Sequence, residues 1–338
     1  MHALSLVTSS IFLLGLLLLT ATCGENDDDD STDNPADDDN DDNDDNDDND
    51  DNDDNDDNDD NNDNNDNDNN DNGDHFFDRV LIPAGKFWQS CEPDDTHCKV
   101  NEMPRRLITL ADYYIDVFEV TNGRYAEFLN DHGENCGGHT CLYSAHAFPY
   151  QGLYEEAGVW VVDPGYENRA AVLITWDGAQ AFCEWDGGRL PTEAEWEKAA
   201  KGDAEHYIYP WGDHWTERAA NYRDSLDPFE TGSYPWTSPI GYFDGSDHGG
   251  AYQTADGRSP FGLRDMAGNA MEWVNDWYSP TYYSVGPLTD PPGPESGSVH
   301  VLRGGAWDFE DTNLRVSSRT WATPDAGSRN TGFRCARD

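Results

Sequence analysis

The apolar and polar positions of this chain divide into a short apolar opening, a long polar run and a mixed remainder that carries nearly all the periodic signal. In the remainder, Val80 to Phe87 (VLIPAGKF) predicts an opening strand and turn, and Arg106 to Phe118, rich in Ile, Leu, Tyr and Val, predicts more extended structure. Thr121 is placed to cap a helix running through Asn130, with Tyr125, Phe128 and Leu129 on one face. Residues 133–168 mix Gly, aromatic and acidic residues without a period and predict a surface excursion. Trp176, Ala179, Phe182 and Cys183 recur at helical spacing, and Gly187-Gly188 ends that helix. Thr192 opens another, with Glu195 three residues on as its reciprocal capping partner. Trp196, Ala199 and Ala200 form its buried stripe, and Gly202 stops it. Residues 261–278, FGLRDMAGNAMEWVNDWY, carry a heavy apolar load in Trp273, Val274 and Trp277, while Gly262 and Gly268 permit a tight, partly left-handed path. That stretch is expected to be a buried loop-and-turn core around which the other segments pack.

The apolar opening, with IFLLGLLLL inside Ser5 to Thr22, is too short for a spanning helix and reads as a signal-peptide core over residues 1–22. Leu19-Thr20-Ala21-Thr22-Cys23 is a loose bacterial lipoprotein box, so Cys23 is the expected lipid site, with plain secretion the alternative. Export places the protein in a bacterial cell envelope, on the periplasmic or surface face, touching membrane through the lipid alone. Residues 25–74 are almost pure Asp and Asn. Such a segment buries nothing and repels itself, so residues 23–74 are expected to be a disordered tether. Fully extended, the run reaches on the order of 170 Å at about 3.4 Å per residue.

Charge changes the picture only after this run is set apart. It holds 28 of the 69 acids and no base, so the other 41 acids face all 20 bases and the remainder is acidic by itself. Nucleic acid is a poor partner for that surface. Residues 75–338 suffice for one sizeable core and are expected to form one domain.

Setting Cys23 aside leaves Cys91, Cys98, Cys136, Cys141, Cys183 and Cys335, an even number in an exported chain, which suggests three disulfides. Cys91 with Cys98 and Cys136 with Cys141 would close local loops, and Cys183 with Cys335 would tie the middle of the domain to its last residues. Zinc on Cys136, His139 and Cys141 is the competing reading, disfavoured by oxidising export.

Several segments together resemble one family. EVTNGRYAEFLN, ITWDGAQAFCEWDGGRLPTEAEWEKAAKG, YPWGD (209–213), AANY (219–222), DMAGNAMEW and the closing RGGAW…GFRC are similar to the formylglycine-generating-enzyme, or sulfatase-modifying-factor, family across roughly residues 80–338. The resemblance implies a compact α+β fold of the C-type-lectin-like kind with limited regular secondary structure, and the Cys183–Cys335 pairing. Active members oxidise a sulfatase cysteine with copper and dioxygen, using two cysteines between RGG and GFRC. Here the interval from Ala306 to Phe333 contains no cysteine, Ala306 replaces the usual serine, and Met271 replaces the usual tryptophan. Soft thiolates suit Cu(I), so copper and formylglycine-generating activity are not expected. The resemblance also implies structural calcium, held by Asp265, the carbonyls of Gly268 and Ala270, and Glu272. The alternative is that Asp265 caps a turn and Glu272 pairs with a buried Arg. A second calcium site would use Asn221 and the Tyr222 carbonyl, with Gly232 falling where a further carboxylate belongs.

HExxH, GxSxG and GxxxxGK[ST] are absent, and the ten histidines are scattered. The expected function is a peptide- or glycan-binding or structural module of the envelope. Its groove would run around Trp307, Phe309, Arg315, Ser317, Ser318, Arg319 and Trp321, the aromatic and Arg side chains supplying the contacts. The alternatives are a related metal-dependent oxidase and a lectin-like protein with a diversified C-terminal segment.

Overall fold

The computed structural model describes residues 78–143, 152–203, 206–250 and 252–338. The expected signal peptide, Cys23 and the acidic tether lie outside the described residues.

The opening apolar run is split at Pro83, which cannot donate to a ladder, into β1 (Arg79–Ile82) and β2 (Gly85–Gln89). β3 (Arg106–Leu110) pairs antiparallel with β2, and β4 (Tyr113–Asp116) pairs antiparallel with β1. Helix α1 (Asn122–His132) starts where expected, Thr121 Oγ1 accepting from the Arg124 N–H at 3.3 Å. The region read as a surface excursion contains two small hairpins, β5 (Asn135–Cys136) with β6 (His139–Thr140) and β7 (Leu153–Glu156) with β8 (Val159–Val162). The Asn130 amide fixes the second hairpin to α1 by bonding both the N–H and the carbonyl of Trp160 at 2.8 Å.

Helices α2 (Trp176–Trp185) and α3 (Glu193–Lys201) follow. The capping box forms as read, with Glu195 N–H donating to Thr192 Oγ1 and Thr192 N–H donating to the Glu195 carboxylate. The stretch expected to be loop and turn throughout is so only up to Ala270. Met271–Trp277 is β9, an interior strand flanked by β10 (His300–Arg303) and β12 (Thr331–Gly332), with β11 (Thr320–Ala322) at one edge. A strand covered on both faces shows no polar alternation, which hid it in the sequence. A short helix, α4 (Tyr282–Val285), precedes β10, and β13 (Ala336–Arg337) adds to the free side of β4. The fold is thus mixed α+β, with several small sheets joined by long ordered loops.

The core follows from these elements. Tyr125 and Phe128 of α1, Phe182 of α2 and Phe333 pack with ring centroids 5.3–5.9 Å apart. Cys183–Cys335 bonds beside them and joins α2 to the chain between β12 and β13. Cys91–Cys98 and Cys136–Cys141 are also bonded.

All nine residues of α3 are buried, including Glu193, Glu197, Lys198 and Lys201. Their charges are met from several segments: Glu193 by Arg319 (2.6 Å), Glu197 by Arg303 (2.8 Å), and Lys201 by Glu92. Such pairs specify one arrangement more than they add stability, because burying each ion costs several kcal/mol.

Asp276 and His300 are among the buried groups that give folding a pH dependence. Asp276 accepts the Glu193 N–H at 2.7 Å, and burial, with the Glu193 carboxylate nearby, pushes its carboxyl up to about 8. His300 is sandwiched by Trp176 and Trp277, with ring centroids 4.0 and 3.7 Å away. Its Nδ1 faces the carbonyls of Asn275 and Asp276, so Nδ1 carries the hydrogen and donates, and burial pushes the imidazole down to about 4. A raised acid stabilises the fold at low pH and loses that contribution as pH rises through its folded value. A lowered histidine stabilises the fold above about 6.5 and loses that contribution as pH falls toward its folded value. Asp276 therefore makes urea-measured stability rise as pH falls from about 8 to 6.5, with a slope that approaches about 1.4 kcal/mol per unit toward 6.5, and His300 offsets this gain below about 6.5. The variant Asp276→Asn should reduce the slope in the upper window; equal slopes in both proteins would remove Asp276 as a cause.

Candidate functional site

The turn entering β9 is the most constrained part of the molecule. Asp265, Gly268 and Asn269 all have positive φ (57°, 79° and 56°). A Cβ at Gly268 would lie 2.1 Å from the Asn221 carbonyl oxygen, so both the backbone conformation and the close approach require glycine there. The turn and its surroundings bury Asp265, Glu272 and Glu119 together. Glu119 accepts from the Ala270 N–H at 2.9 Å and from the Asn269 amide. Asp265 accepts from the Gly241 N–H at 2.6 Å. Glu272 takes a bidentate pair from Arg334 (2.7 and 2.8 Å) and the Trp196 indole N–H (2.8 Å). Asp265 thus accepts from the N–H of a turn residue, and Glu272 pairs with a buried Arg.

The charges in this cluster are unequal. Three buried carboxylates face the single buried guanidinium of Arg334. Burial pushes Asp265 up to about 6, and burial with repulsion from Asp265 and Glu272 pushes Glu119 well above the carboxylate range. Hard oxygen donors on a Gly-bearing turn are the type calcium takes, but the oxygens of Glu119, Asp265 and Glu272 do not all come within 4.8 Å of one another, and those of Glu272 are bonded to Arg334 and Trp196. At the second location, Asn221 is buried and its Oδ1 has no hydrogen-bond partner, although its Nδ2 donates to the Trp236 carbonyl at 2.8 Å. The Tyr222 carbonyl accepts from the Ser225 N–H at 3.1 Å. Glu119 escaped the sequence reading because an acid just before a helix cap is unremarkable. Its proximity to Asp265 is a matter of tertiary structure.

The residues expected to share a groove separate into two groups. Phe309, Ser318, Arg319 and Trp321 line a cleft of about 470 Å³, together with Lys99, Asn101 and Tyr278, which the sequence did not mark. Trp307, Arg315 and Ser317 do not line it. Trp307 is buried beneath Tyr234 and Trp236, and its indole N–H donates to the Arg329 carbonyl at 3.1 Å. Arg315 points inward to Asp95 (2.6 Å) and Glu102 (2.7 Å), with Ser317 Oγ 3.0 Å from its guanidinium, beside the Cys91–Cys98 bridge. An arginine beside aromatic residues looks like a ligand contact in sequence, but here two distant carboxylates claim it. Arg319 is also paired, to Glu193, and its side chain backs the rings of Tyr278 and Tyr283.

The zinc grouping does not assemble as read. Both cysteines are in the Cys136–Cys141 disulfide, and His139 is exposed with its Nδ1 3.7 Å from Asp177. The histidine beside the bridge is His132.

Comparison with known proteins agrees with this architecture. The family model described as the sulfatase-modifying factor enzyme 1-like domain matches residues 65–338. The chain belongs to the sulfatase-modifying factor family. A formylglycine-generating enzyme from Thermomonospora curvata is 32% identical over 294 residues, covering 77% of this chain and 93% of that protein. Among solved structures, PvdO from Pseudomonas aeruginosa superposes with a TM-score of 0.55 at 23% identity, over 77% of this chain and 94% of that one. Treponema denticola variable protein 1 gives 0.53 at 22% identity, over 77% and 94%. In this member of the family, Met271 and Ala306 are packed in the core, and the six cysteines of the described residues are all in disulfides.

Proposed function

We propose that this chain is a ligand-binding member of the sulfatase-modifying factor family that does not generate formylglycine. It would act outside the cell membrane, exported and held by a lipid on Cys23, with the acidic run as its tether. The observation that carries the reading is the pairing of thiols. Residues 306–333 contain no cysteine, and the six cysteines of the folded part are cross-linked, so no two thiolates are offered to Cu(I). The cleft has an aromatic and polar lining suited to holding a ligand. The test is to supply copper, dioxygen and a peptide of the form Cys-x-Pro-x-Arg to the purified chain and follow aldehyde formation. None is expected, and turnover would overturn the reading.

Calcium belongs to the same proposal. Asp265 and Glu272 would hold it with the carbonyls of Gly268 and Ala270, and the ion would neutralise the surplus charge of the buried carboxylates. Asn221 Oδ1 and the Tyr222 carbonyl are the donors for a second ion. A ligand at a hundredfold excess over its Kd stabilises by about 3 kcal/mol, which is on the order of 5–10 °C in Tm for a domain of this size. Chelation should lower Tm by at least that amount in the native protein and by less in Asp265→Ala, which keeps only the donors of the second ion. A native Tm indifferent to chelator would remove the ion from the account.

A further inference from the structure

The cleft has two properties that narrow its ligand. The first is its charge. None of the residues lining it is Asp or Glu, in a chain with 69 acids. Of its two cations, Arg319 is neutralised from behind by Glu193, whereas exposed Lys99 has only a neutral partner there, the Asn313 side-chain oxygen at 3.2 Å. The second property is its wall. Thr320 and Trp321 belong to β11, the edge strand of the four-stranded sheet, whose one neighbour is β10. An edge strand presents unpaired backbone N–H and C=O groups to any chain laid beside it. Trp321 is 48% exposed and lies on Tyr278 with centroids 4.2 Å apart, and Arg319 backs Tyr278 in turn. The indole is thus a supported apolar platform beside an open strand edge.

We propose that the cleft binds an extended peptide as an added strand along β11, with an apolar or aromatic side chain on Trp321 and a carboxylate-bearing side chain at Lys99. The inference rests on the binding-module reading above and adds the chemistry of the ligand. The strand edge favours a peptide over a glycan, because main-chain pairing along β11 supplies affinity that a sugar cannot draw on. The absence of acidic lining and the presence of Lys99 favour a carboxylate over an ammonium group at the rim.

Isothermal titration of the full chain tests this at about 0.15 M salt, where exposed charges beyond about 8 Å are largely screened. The probes are a blocked hexapeptide alternating Val and Thr with one Tyr and one Glu, its Glu-to-Gln and Glu-to-Lys versions, a version N-methylated on alternate amides, and tetragalacturonate. The Glu peptide should bind about fivefold more tightly than the Lys peptide, as expected for an exposed ion pair. N-methylation should weaken binding about tenfold through the loss of strand hydrogen bonds. Trp321→Ala should cost about tenfold, and Lys99→Gln should make the Glu and Gln peptides equal. Both substitutions are at exposed positions and leave the core untouched.

Indifference to N-methylation, preference for the Lys peptide, or failure of every peptide to bind would each overturn the inference. Binding of tetragalacturonate alone, sensitive to Trp321→Ala, would also overturn it while leaving the binding-module reading in place. Copper-dependent oxidation of the cysteine peptide would instead overturn that reading.

Discussion

Replacing Arg334 with leucine is expected to leave no folded protein, or one weakened by about 4 kcal/mol or more in urea unfolding. Arg334 is fully buried, and its guanidinium donates to both Glu272 oxygens and to the carbonyls of Asp116, Val117 and Arg264. Leucine would take a donor from every one of these acceptors, although Glu272 would keep the Trp196 indole and the Val117 carbonyl would keep the Arg264 N–H. It would also leave Glu119, Asp265 and Glu272 facing one another without their buried counter-charge, and removing one partner of a buried pair alone costs about 3–5 kcal/mol. The double variant Arg334→Met/Glu272→Gln returns the cluster to the native net charge and should recover part of the loss. If Arg334→Leu unfolds at the native urea concentration, the buried cluster is not the tie described above.

The next largest effect is expected from opening the Cys183–Cys335 bridge. It spans 152 residues, and constraint of the unfolded chain over so long a loop amounts to about 5 kcal/mol. The bridge Cys136–Cys141 spans 5 residues, for which the same argument gives about 2 kcal/mol. The paired substitutions Cys183→Ala/Cys335→Ala and Cys136→Ala/Cys141→Ala, compared by urea unfolding, should differ in that order. Similar losses would mean that local packing rather than loop closure sets the contribution.

These two cases mark what could be read before the structure. The capping box of α3 and the N-cap of α1 were legible because the bonds that make them lie within four residues. The α+β class and the family were legible because the motif segments are long and ordered along the chain. Cys91–Cys98 and Cys136–Cys141 were legible from parity and short spacing, whereas Cys183–Cys335, 152 positions apart, was legible as the pair left over and through the family resemblance. The burial of Arg315 and Trp307 was hidden, since Arg315 is satisfied by Asp95 and Glu102 more than 200 positions away. β9 was hidden because a strand covered on both faces has no alternating pattern to find. The carboxylate cluster was half legible: Asp265 and Glu272 stood out in one motif, while Glu119 lies in another and meets them only in three dimensions.

The segment from Thr331 to Arg337 carries strands of two different sheets within seven positions, β12 against β9 and β13 against β4, with Arg334 and Cys335 between them. Strand β4 must therefore wait, with one margin open, until more than 200 further residues have been synthesised. Contacts this remote in sequence slow folding, because ordering the intervening chain comes before the gain from pairing. A nascent chain halted before Thr331 would expose two incomplete margins and the aromatic surface meant for Phe333, and such a fragment would be a target for quality-control proteases rather than a smaller version of the fold.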